Sequence, residues 1–239
     1  MHPYLTDDDR WEAVQRRDRA AEGAFLIAVK TTGVYCLPSC QGRPLRRNVE
    51  FFEGAPAARA AGYRPCKHCR PDEPRETLTW ATAPTSLGLA LVAMSGRGVR
   101  AILLGDDEAA LAADLAARFR QARLAHDPAA IAQALAAVAN AVDTGAALSL
   151  PLDAQGSDLA QAVWAQLRVI PAGRTASYAE VARAIGRPRA ARAVAQACAA
   201  NPLAVVVPCH RVVRSDGALS GYRWGAARKR ALLAREAAA

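Results

Sequence analysis

The spacing of apolar and polar positions changes after residue 78 and again after residue 155, which divides the chain into three regions. In the first region, apolar residues at helical spacing predict a helix over 8–21. A continuous apolar run then predicts a buried strand at 25–29, with a return strand at 33–36. A proline within 56–61 and a glycine just after it predict a short helix there. The polar, proline-rich stretch 70–76 indicates a domain boundary.

The second region combines strands with alanine-rich helices. Apolar runs at 87–93 and 99–104 flank the sequence Ser-Gly-Arg-Gly, which predicts a strand–turn–strand unit. Amphipathic, alanine-rich segments at 108–122 and 128–142 predict two helices. Neither helix has a pattern of titratable residues, so we expect both to be structural.

The last region is predominantly helical and has short loops. An amphipathic helix is expected over 158–170. Residues 177–180, Ser-Tyr-Ala-Glu, form a capping box, so a helix should run over 177–186. Pro188 should open a second helix that continues to residue 200. The tight link between these two helices indicates a helix-turn-helix.

The second of these helices has the composition of a DNA-reading helix. Arg189 and Arg192 stand among small residues, mostly alanine, so the helix could approach a groove closely while arginine reaches the DNA. An alanine-rich core helix with two exposed arginines is an equally acceptable interpretation of this segment alone.

Positive charge is concentrated in one part of the chain. The net charge of +9 divides into +2 for residues 1–78, −3 for 79–165 and +10 for 166–239. This concentration favours a polyanion-binding face over an evenly solvated basic surface. No apolar run reaches the ~18 residues of a membrane span, and the acidic N-terminus is unlike a signal peptide. We therefore expect a cytoplasmic protein with no membrane partner.

Four of the six cysteines have the spacing of a metal site. Cys36 and Cys40 form one close pair, and Cys66 and Cys69 form a second. Thiolates prefer zinc, and two pairs joined by a loop can close a tetrahedral site. The alternative is two unrelated pairs of buried thiols. Four thiolates around one divalent ion leave a net charge of about −2, so their sulfurs stay nucleophilic at neutral pH.

Cys209 is a separate candidate nucleophile. It lies beside His210 in a basic segment, and neighbouring cations are expected to lower the pKa of its thiol. Because adjacent residues of a strand point in opposite directions, a proton relay between them would need a turn or a bridging water. A structural cysteine at a strand end is the simpler alternative. A cysteine protease would need an oxyanion hole and an orienting group for which the sequence has no signature. Cys198 is expected only to pack.

The surroundings of Cys209 carry a specific set of motifs. Asn201-Pro202 precedes the segment Pro-Cys-His-Arg-Val-Val at 208–213, and Ser-Gly-Tyr-Arg-Trp-Gly follows at 220–225. These motifs resemble those of the O6-alkylguanine-DNA alkyltransferases, and the resemblance covers residues 79–239. It implies a ribonuclease-H-like α/β subdomain at 79–155 and a winged-helix-like, helix-turn-helix subdomain at 156–239 that binds DNA.

The resemblance also implies roles for individual residues. Cys209 would accept the alkyl group from O6 of a guanine flipped out of the duplex, or from O4 of a methylated thymine. His210 would act as a base through a water, oriented by the carboxylate of Glu236. Tyr178 would help to rotate the nucleotide and would protonate the leaving guanine, and Arg192 would fill the place of the extruded base in the stack. Asn201 would organise the turn that holds Cys209, and Tyr222 would shape the pocket. Arg189 would be a further DNA contact.

The first region is similar to the N-terminal zinc domain of the Ada adaptive-response proteins, across residues 1–75. The motifs are Thr-Gly-Val-Tyr-Cys-Leu-Pro-Ser-Cys at 32–40 and Gly-Tyr-Arg-Pro-Cys-Lys-His-Cys at 62–69. The similarity implies that Cys36 both holds zinc and accepts a methyl group from a methylated backbone phosphate, with Thr32, Arg43 and Arg64 as phosphate contacts. Methylation would remove one negative charge, worth ~1 kcal/mol or more in DNA affinity.

The sequence therefore predicts an α+β multidomain protein that repairs DNA stoichiometrically at two cysteines. We expect one zinc ion, no organic cofactor, double-stranded DNA as partner and a monomeric state. Ada regulators also carry a sequence-reading module between the two parts, for which residues 75–79 leave no room. Two alternatives stay open: a methylation-activated sensor or transcriptional regulator, and a zinc-stabilised DNA-binding protein without chemistry.

Overall fold

A computed structural model describes residues 3–73, 75–219 and 221–238 of the 239-residue chain. Pro74 of the predicted boundary and Ser220 of the 220–225 motif lie outside the described residues. The chain separates into two compact units, Met1–Arg75 and Glu76–Ala239, which are called unit 1 and unit 2 below.

Unit 1 begins with helix α1, Asp7–Arg16, whose start is fixed by a capping box between Thr6 and Asp9. The prediction that this helix continues to residue 21 is wrong. Arg17 takes a left-handed conformation with φ of 53°, which ends the helix. A separate 3-10 turn, Arg19–Ala21, follows.

The predicted hairpin of unit 1 is confirmed and belongs to a four-stranded sheet. Its strands are β1, Leu26–Val29; β2, Val34–Cys36; β3, Val49–Phe52; and β4, Arg64–Pro65, in the order β3-β1-β2-β4. Helix α2, Ala55–Ala60, lies between β3 and β4 in sequence. Strand β4 runs parallel to β2, and the Cys66 N–H donates to the Tyr35 carbonyl at 2.9 Å. This pairing brings the second cysteine pair beside the first.

Unit 2 begins with a second four-stranded sheet, ordered β7-β6-β5-β8. The strands are β5, Thr77–Thr85; β6, Gly88–Ser95; β7, Gly98–Gly105; and β8, Arg123–His126. The predicted strand–turn–strand unit is confirmed as the antiparallel pair β6–β7. Helices α3, Glu108–Arg118, and α4, Ala132–Thr144, pack against the sheet. Their buried leucine, valine and alanine side chains complete the core, as the amphipathic pattern indicated.

The remainder of unit 2 is mainly helical. It contains α5, Asp158–Arg168; α6, Tyr178–Ala184; α7, Ala191–Ala200; and α8, Ala226–Ala237. Two short parallel strands, β9, Ala176–Ser177, and β10, Val212–Val213, join distant parts of it. The capping box at Ser177 is present. Helix α7 begins later than predicted because residues 187–190 form a turn, closed by Ala190 N–H donating to the Arg187 carbonyl at 2.9 Å. Arg189 therefore lies in the turn and not on the helix.

None of the helices in the described ranges is both long enough and apolar enough to cross a bilayer.

Candidate functional sites: a four-cysteine cluster and a buried thiol

The four cysteines of unit 1 converge on one point. The Sγ atoms of Cys36, Cys40, Cys66 and Cys69 all lie within 4.8 Å of one another, and the four residues are free thiols. A tetrahedral zinc ion with Zn–S bonds of about 2.3 Å would separate its sulfurs by roughly 3.8 Å. The cluster therefore has both the soft donor set and the spacing that fit zinc.

The protein backbone holds this cluster and shields most of it. Cys36, Cys40 and Cys69 are 6%, 9% and 8% exposed, whereas Cys66 is half-buried. The Leu37 N–H donates to the Cys69 sulfur at 3.4 Å, a contact that favours a thiolate. Hydrogen bonding to the Cys40 and Cys69 sulfurs, together with burial, raises the pKa of the Cys36 thiol. A bound cation would remove that penalty by neutralising the neighbouring thiolates.

A half-buried ion pair braces the cluster, and the sequence analysis missed it. Glu22 accepts hydrogen bonds from Ser39, which lies within the first cysteine pair, and from Arg75 Nη1 at 2.5 Å. Arg75 Nη2 also donates to the carbonyl of Cys69 at 3.5 Å. Glu22 and Arg75 lie 53 positions apart, so no local pattern could have predicted their contact.

The three predicted phosphate contacts of unit 1 are exposed but do not form one group. Thr32 lies in the β1–β2 turn, and the Arg64 N–H donates to the carbonyl of the adjacent Gly33 at 3.0 Å. Arg43 instead lines a pocket of about 520 Å³ with Trp11 and Arg17. The fold therefore places Thr32, in the β1–β2 turn, near the start of β4 where Arg64 lies, and places Arg43 beside α1.

In unit 2, Cys209 begins a 3-10 turn, Cys209–Arg211, that provides the turn between thiol and histidine. The apolar run before it is not a strand but a series of tight turns. Val205 has φ of 67°, a conformation that is unusual and costly for a β-branched residue. Cys209 N–H donates to the Val207 carbonyl at 2.8 Å, so the thiol is held by backbone geometry.

Asn201 connects these turns through its side chain. The amide is fully buried, and its Nδ2 donates to the carbonyls of Leu203 at 3.3 Å and Val207 at 2.9 Å. The same Nδ2 lies 3.3 Å from the Cys209 Sγ, and its Oδ1 accepts from the Leu203 N–H at 2.9 Å. One side chain therefore holds both ends of the segment and contacts the thiol.

Burial, and not the neighbouring cations, dominates the ionisation of Cys209. The side chain is 5% exposed, and burial raises the pKa of its thiol to about 11. The expectation of a lowered pKa is therefore wrong, although contacts with Asn201 and Lys229 act in the expected direction. The thiol is protonated at neutral pH and needs a base to become a nucleophile.

His210 and Glu236 are positioned to supply that base. His210 Nε2 lies 2.8 Å from Glu236 Oε1, and burial lowers the pKa of the imidazole. Despite desolvation, hydrogen bonds from His210 and Arg211 lower the pKa of the Glu236 carboxyl to about 2. An ionised carboxylate can only accept, so the Nε2 atom carries the proton and Nδ1 is the basic nitrogen. Nδ1 is buried without a hydrogen-bond partner among the described residues.

A pocket of about 370 Å³ opens onto the thiol. Tyr178, at the first turn of α6, and Tyr222 contribute aromatic walls. The other lining residues are Ala195, Cys198, Ala199, Cys209, Gly221 and Arg223. Cys198, predicted only to pack, therefore also forms part of the pocket wall. Arg192 is exposed on α7, the helix that supplies the small residues of this wall.

Lys229 is a second residue that the sequence analysis missed. Its side chain is fully buried, and its Nζ donates to the Val212 carbonyl at 2.6 Å. Lys229 precedes Leu232 by three residues, so both lie on the apolar face of α8. The available signal was a lysine at helical spacing from the leucines of the segment 226–237, for which the sequence analysis predicted no helix.

Two family descriptions match this chain. "Metal binding domain of Ada" matches residues 9–72, which contain the cysteine cluster. "6-O-methylguanine DNA methyltransferase, DNA binding domain" matches residues 158–238, which contain the buried thiol and its relay.

Similar proteins cover both units. The "Bifunctional transcriptional activator/DNA repair enzyme Ada" of Escherichia coli K12 is 36% identical over 343 residues, covering 98% of this chain and 97% of the relative. A "Methylated-DNA--protein-cysteine methyltransferase" of Mycobacterium bovis is 55% identical over 82 residues, 34% of this chain and 50% of the relative. The crystal structure of Mycobacterium tuberculosis OGT in complex with DNA superposes with a TM-score of 0.56 at 35% identity, over 68% of this chain and 93% of that one.

Proposed function

Because the chain belongs to the family of Ada and the methylated-DNA–protein-cysteine methyltransferases, we propose that it repairs DNA by transferring alkyl groups irreversibly to two of its own cysteines. Cys209 takes the group from O6 of guanine or O4 of thymine, and zinc-bound Cys36 takes it from methylphosphotriesters. Each product is a stable thioether, so one molecule is consumed as both sites react. The contacts of Asn201 with Cys209 and of His210 with Glu236, beside a pocket that Cys209 lines, carry the proposal.

At the guanine site, the relay forms the nucleophile at the moment of transfer. The Cys209 proton passes through a water to His210 Nδ1, and the resulting imidazolium is stabilised by Glu236 through Nε2. The sulfur attacks the alkyl carbon, a C–S bond forms and the C–O6 bond breaks. Tyr178, on the pocket wall, supplies the proton that the leaving guanine needs.

The pocket and the helix beside it receive the extruded base. Tyr222 forms the wall opposite the small residues of α7 and contacts the His210 ring edge-on, with centroids 6.4 Å apart. Arg192, exposed on α7, enters the base stack in place of the flipped nucleotide. Arg189 contacts the DNA from the preceding turn. The charge of +10 in residues 166–239 supports this face as the DNA-binding surface.

At the zinc site, the four cysteines hold the metal, which would supply the Lewis-acid charge that keeps their sulfurs deprotonated at neutral pH. Cys36 is the proposed acceptor, and Thr32, Arg43 and Arg64 provide contacts to backbone phosphates. Methylation of one ligand lowers the negative charge of the site, so the methylated protein should bind DNA more tightly.

We assign three domains on this basis. Residues 1–75 form the zinc-binding phosphotriester domain, 79–155 a ribonuclease-H-like subdomain, and 156–239 the winged-helix-like subdomain that binds DNA and carries catalysis. Unit 1 ends at Arg75 and unit 2 begins at Glu76, which supports direct succession of the two repair domains without a separate sequence-reading module between them. We further propose that the protein acts as a monomer.

The test is to map the transferred groups. The protein is incubated with duplex DNA that carries differently labelled methyl groups on guanine O6 and on phosphates, and its peptides are sequenced by mass spectrometry. Using the unmodified protein avoids the loss of zinc that any ligand substitution would cause. The expected result is the O6 label on Cys209 and the phosphate label on Cys36. Label on Cys66, the half-buried ligand, would reassign the acceptor, and label on none of the cysteines would refute the proposal.

A further inference from the structure

The Glu236 carboxylate contacts two side chains, those of His210 and Arg211. Arg211 Nε lies 3.2 Å from Glu236 Oε1 and 3.0 Å from Oε2, and Arg211 Nη2 donates to Oε1 at 2.8 Å. The third nitrogen, Nη1, donates to the Ile170 carbonyl at 2.5 Å. The guanidinium therefore uses every nitrogen, two on the carboxylate and one on the backbone after α5.

We propose that Arg211 is a positioning residue for alkyl transfer to Cys209. Arg211 holds the Glu236 carboxylate in the orientation that keeps Oε1 within hydrogen-bond distance of His210 Nε2. This inference rests on the proposed function of Cys209 and adds to it a residue that touches neither the substrate nor the thiol.

Geometry supports this role. Glu236 lies in the last turn of α8, which ends at Ala237, so the helix alone does not fix its carboxylate. A planar guanidinium that binds both carboxylate oxygens fixes the plane of the group as well as its distance. A lysine would hold the same charge at one point and would leave that plane free to rotate.

The loop after α5 completes the clamp. The Gly173 N–H lies 3.4 Å from Glu236 Oε2, and Gly173 has φ of 73°. A Cβ at this position would lie 2.9 Å from the Glu236 carbonyl oxygen, closer than real Cβ contacts. Close approach of this loop to α8 therefore requires glycine, and the Ile170 carbonyl anchors Arg211 to the same loop.

The clamp also balances charge at the relay. Arg211 neutralises part of the Glu236 charge and so opposes protonation of His210. Lys229 acts on His210 in the same direction. The other titratable or charged groups that face the relay are Cys209, Tyr222, Arg228 and Arg168; Arg235 lines the same pocket as Glu236, but its guanidinium extends to the Val142 carbonyl. Unlike these other groups, Arg211 contacts the Glu236 carboxylate directly, at the same oxygen that lies next to His210.

Two substitutions separate orientation from charge. In Arg211→Lys the charge is kept and the planar fork is lost, so single-turnover transfer from O6-methylguanine should slow about tenfold or more at every pH. In Arg211→Gln the charge is lost as well, so the midpoint of the acid limb of the rate should also move to higher pH. The matched control is Arg235→Gln on α8, the helix that carries Glu236; Arg235 Nη1 donates to the Val142 carbonyl at 2.5 Å, and among the described residues Arg235 makes no hydrogen bond to the Glu236 carboxylate. It should lower the melting temperature without moving the midpoint.

A readout independent of activity keeps the test decisive. The pKa of His210, followed by NMR of its ring, should rise in Arg211→Gln and stay near the wild-type value in Arg235→Gln. A wild-type rate and a wild-type His210 pKa in Arg211→Gln would overturn the proposal. The proposal would also be overturned if Arg211→Lys and Arg235→Gln lost the same fraction of the transfer rate, in proportion to their loss of stability. If the wild-type protein transfers no label at all, the proposed function fails, and the NMR result still decides whether Arg211 acts on His210.

Discussion

Cys36 of unit 1 and Cys209 of unit 2 are almost equally buried, at 6% and 5% exposure, yet their surroundings activate sulfur in different ways. Cys36 stands among three other thiols, and a divalent metal is the charge that would keep all four deprotonated. Cys209 belongs to no such cluster, although Cys198 lines the same pocket, and burial raises the pKa of the Cys209 thiol to about 11. In the proposed mechanism it depends on His210 and Glu236, which contact each other at 2.8 Å, to remove its proton when the substrate is present.

The difference shows what each unit needs in order to react. The zinc site carries its activation permanently, so it should depend on metal and be insensitive to pH while metal is bound. The thiol site carries its activation in the placement of side chains, so it should depend on the relay and be indifferent to metal. Burial is compatible with activation of Cys209 by a relay, because a buried thiol stays protonated and is less prone to oxidation until a base is in place.

The largest expected effect is that of removing zinc. A strong chelator should unfold unit 1 and abolish phosphotriester repair, because structural zinc contributes on the order of 10 kcal/mol or more to small metal domains. Repair of O6-methylguanine should continue at its original rate. Circular dichroism and the two transfer rates, measured on the same sample, check this. Loss of both activities on chelation would remove the distinction between the sites.

Glu236→Gln should give the converse result. Without its carboxylate the relay loses stabilisation of the imidazolium, and transfer to Cys209 should slow about 10²- to 10⁴-fold. Transfer to the zinc site should not change. Asp216→Asn is the matched control, because Asp216 is an exposed carboxylate that lies 3.7 Å from the Arg214 guanidinium and accepts from the Ala218 N–H at 3.0 Å. An effect as large in the control as in Glu236→Gln would show that charge in general, and not the relay, sets the rate.

Asn201→Ala should weaken unit 2 by roughly 1–3 kcal/mol, since it leaves the buried Leu203 N–H without its side-chain acceptor and removes one of the hydrogen bonds to each of the Leu203 and Val207 carbonyls. The rate at Cys209 should also fall, because the turns before the thiol lose their common support. Chemical denaturation and single-turnover kinetics check both effects. The control, Asn140→Ala on the exposed face of α4, should change neither. A stable Asn201→Ala with a normal rate would show that the backbone alone holds the thiol.

The smallest effect near neutral pH is a change in stability that appears only at high pH. Because the folded-state pKa of Cys209 is raised from 9.0 to about 11, its contribution is present below pH 9 and is lost as pH rises through 11. Cys209→Ala should lose up to about 3 kcal/mol less stability across that interval than the wild type. Cys198, whose pKa is raised to about 12 by burial and secondarily by the charge of Cys209, is present in both proteins, so the difference between them also includes this coupling. Identical pH dependence in the two proteins would mean that the thiol titrates normally.

Local patterns predicted the elements of this fold better than their ends. The hairpin β6–β7 and the helices α5 and α6 follow from apolar spacing and a capping box. Strands β5 and β8 went unpredicted because their pairing is between distant segments and their alternation is weak. The early end of α1 and the late start of α7 depend on single turns that propensity does not specify.

Local patterns also predicted part of the site chemistry but missed the contacts between distant residues. Short spacings located the cysteine cluster and the Cys209–His210 pair, whereas the resemblance to known families supplied Glu236 and Asn201. The raised pKa of Cys209 was missed because it depends on how deeply the thiol is buried, a tertiary property. The Glu22–Arg75 brace and the clamp of Arg211 on Glu236 join positions 53 and 25 residues apart, and only the fold shows them.

The rates of the two transfers between pH 5 and 9, followed together in one zinc-loaded sample with differently labelled lesions, test the central claim most directly. We predict a flat profile for the phosphotriester. For O6-methylguanine we predict a plateau at neutral and alkaline pH and a fall only below about pH 6.5, because burial lowers the pKa of His210 from its ordinary value. A rate at Cys209 that rises about tenfold with each pH unit up to pH 9 would contradict the account, since an unassisted thiol with a pKa of about 11 behaves in that way.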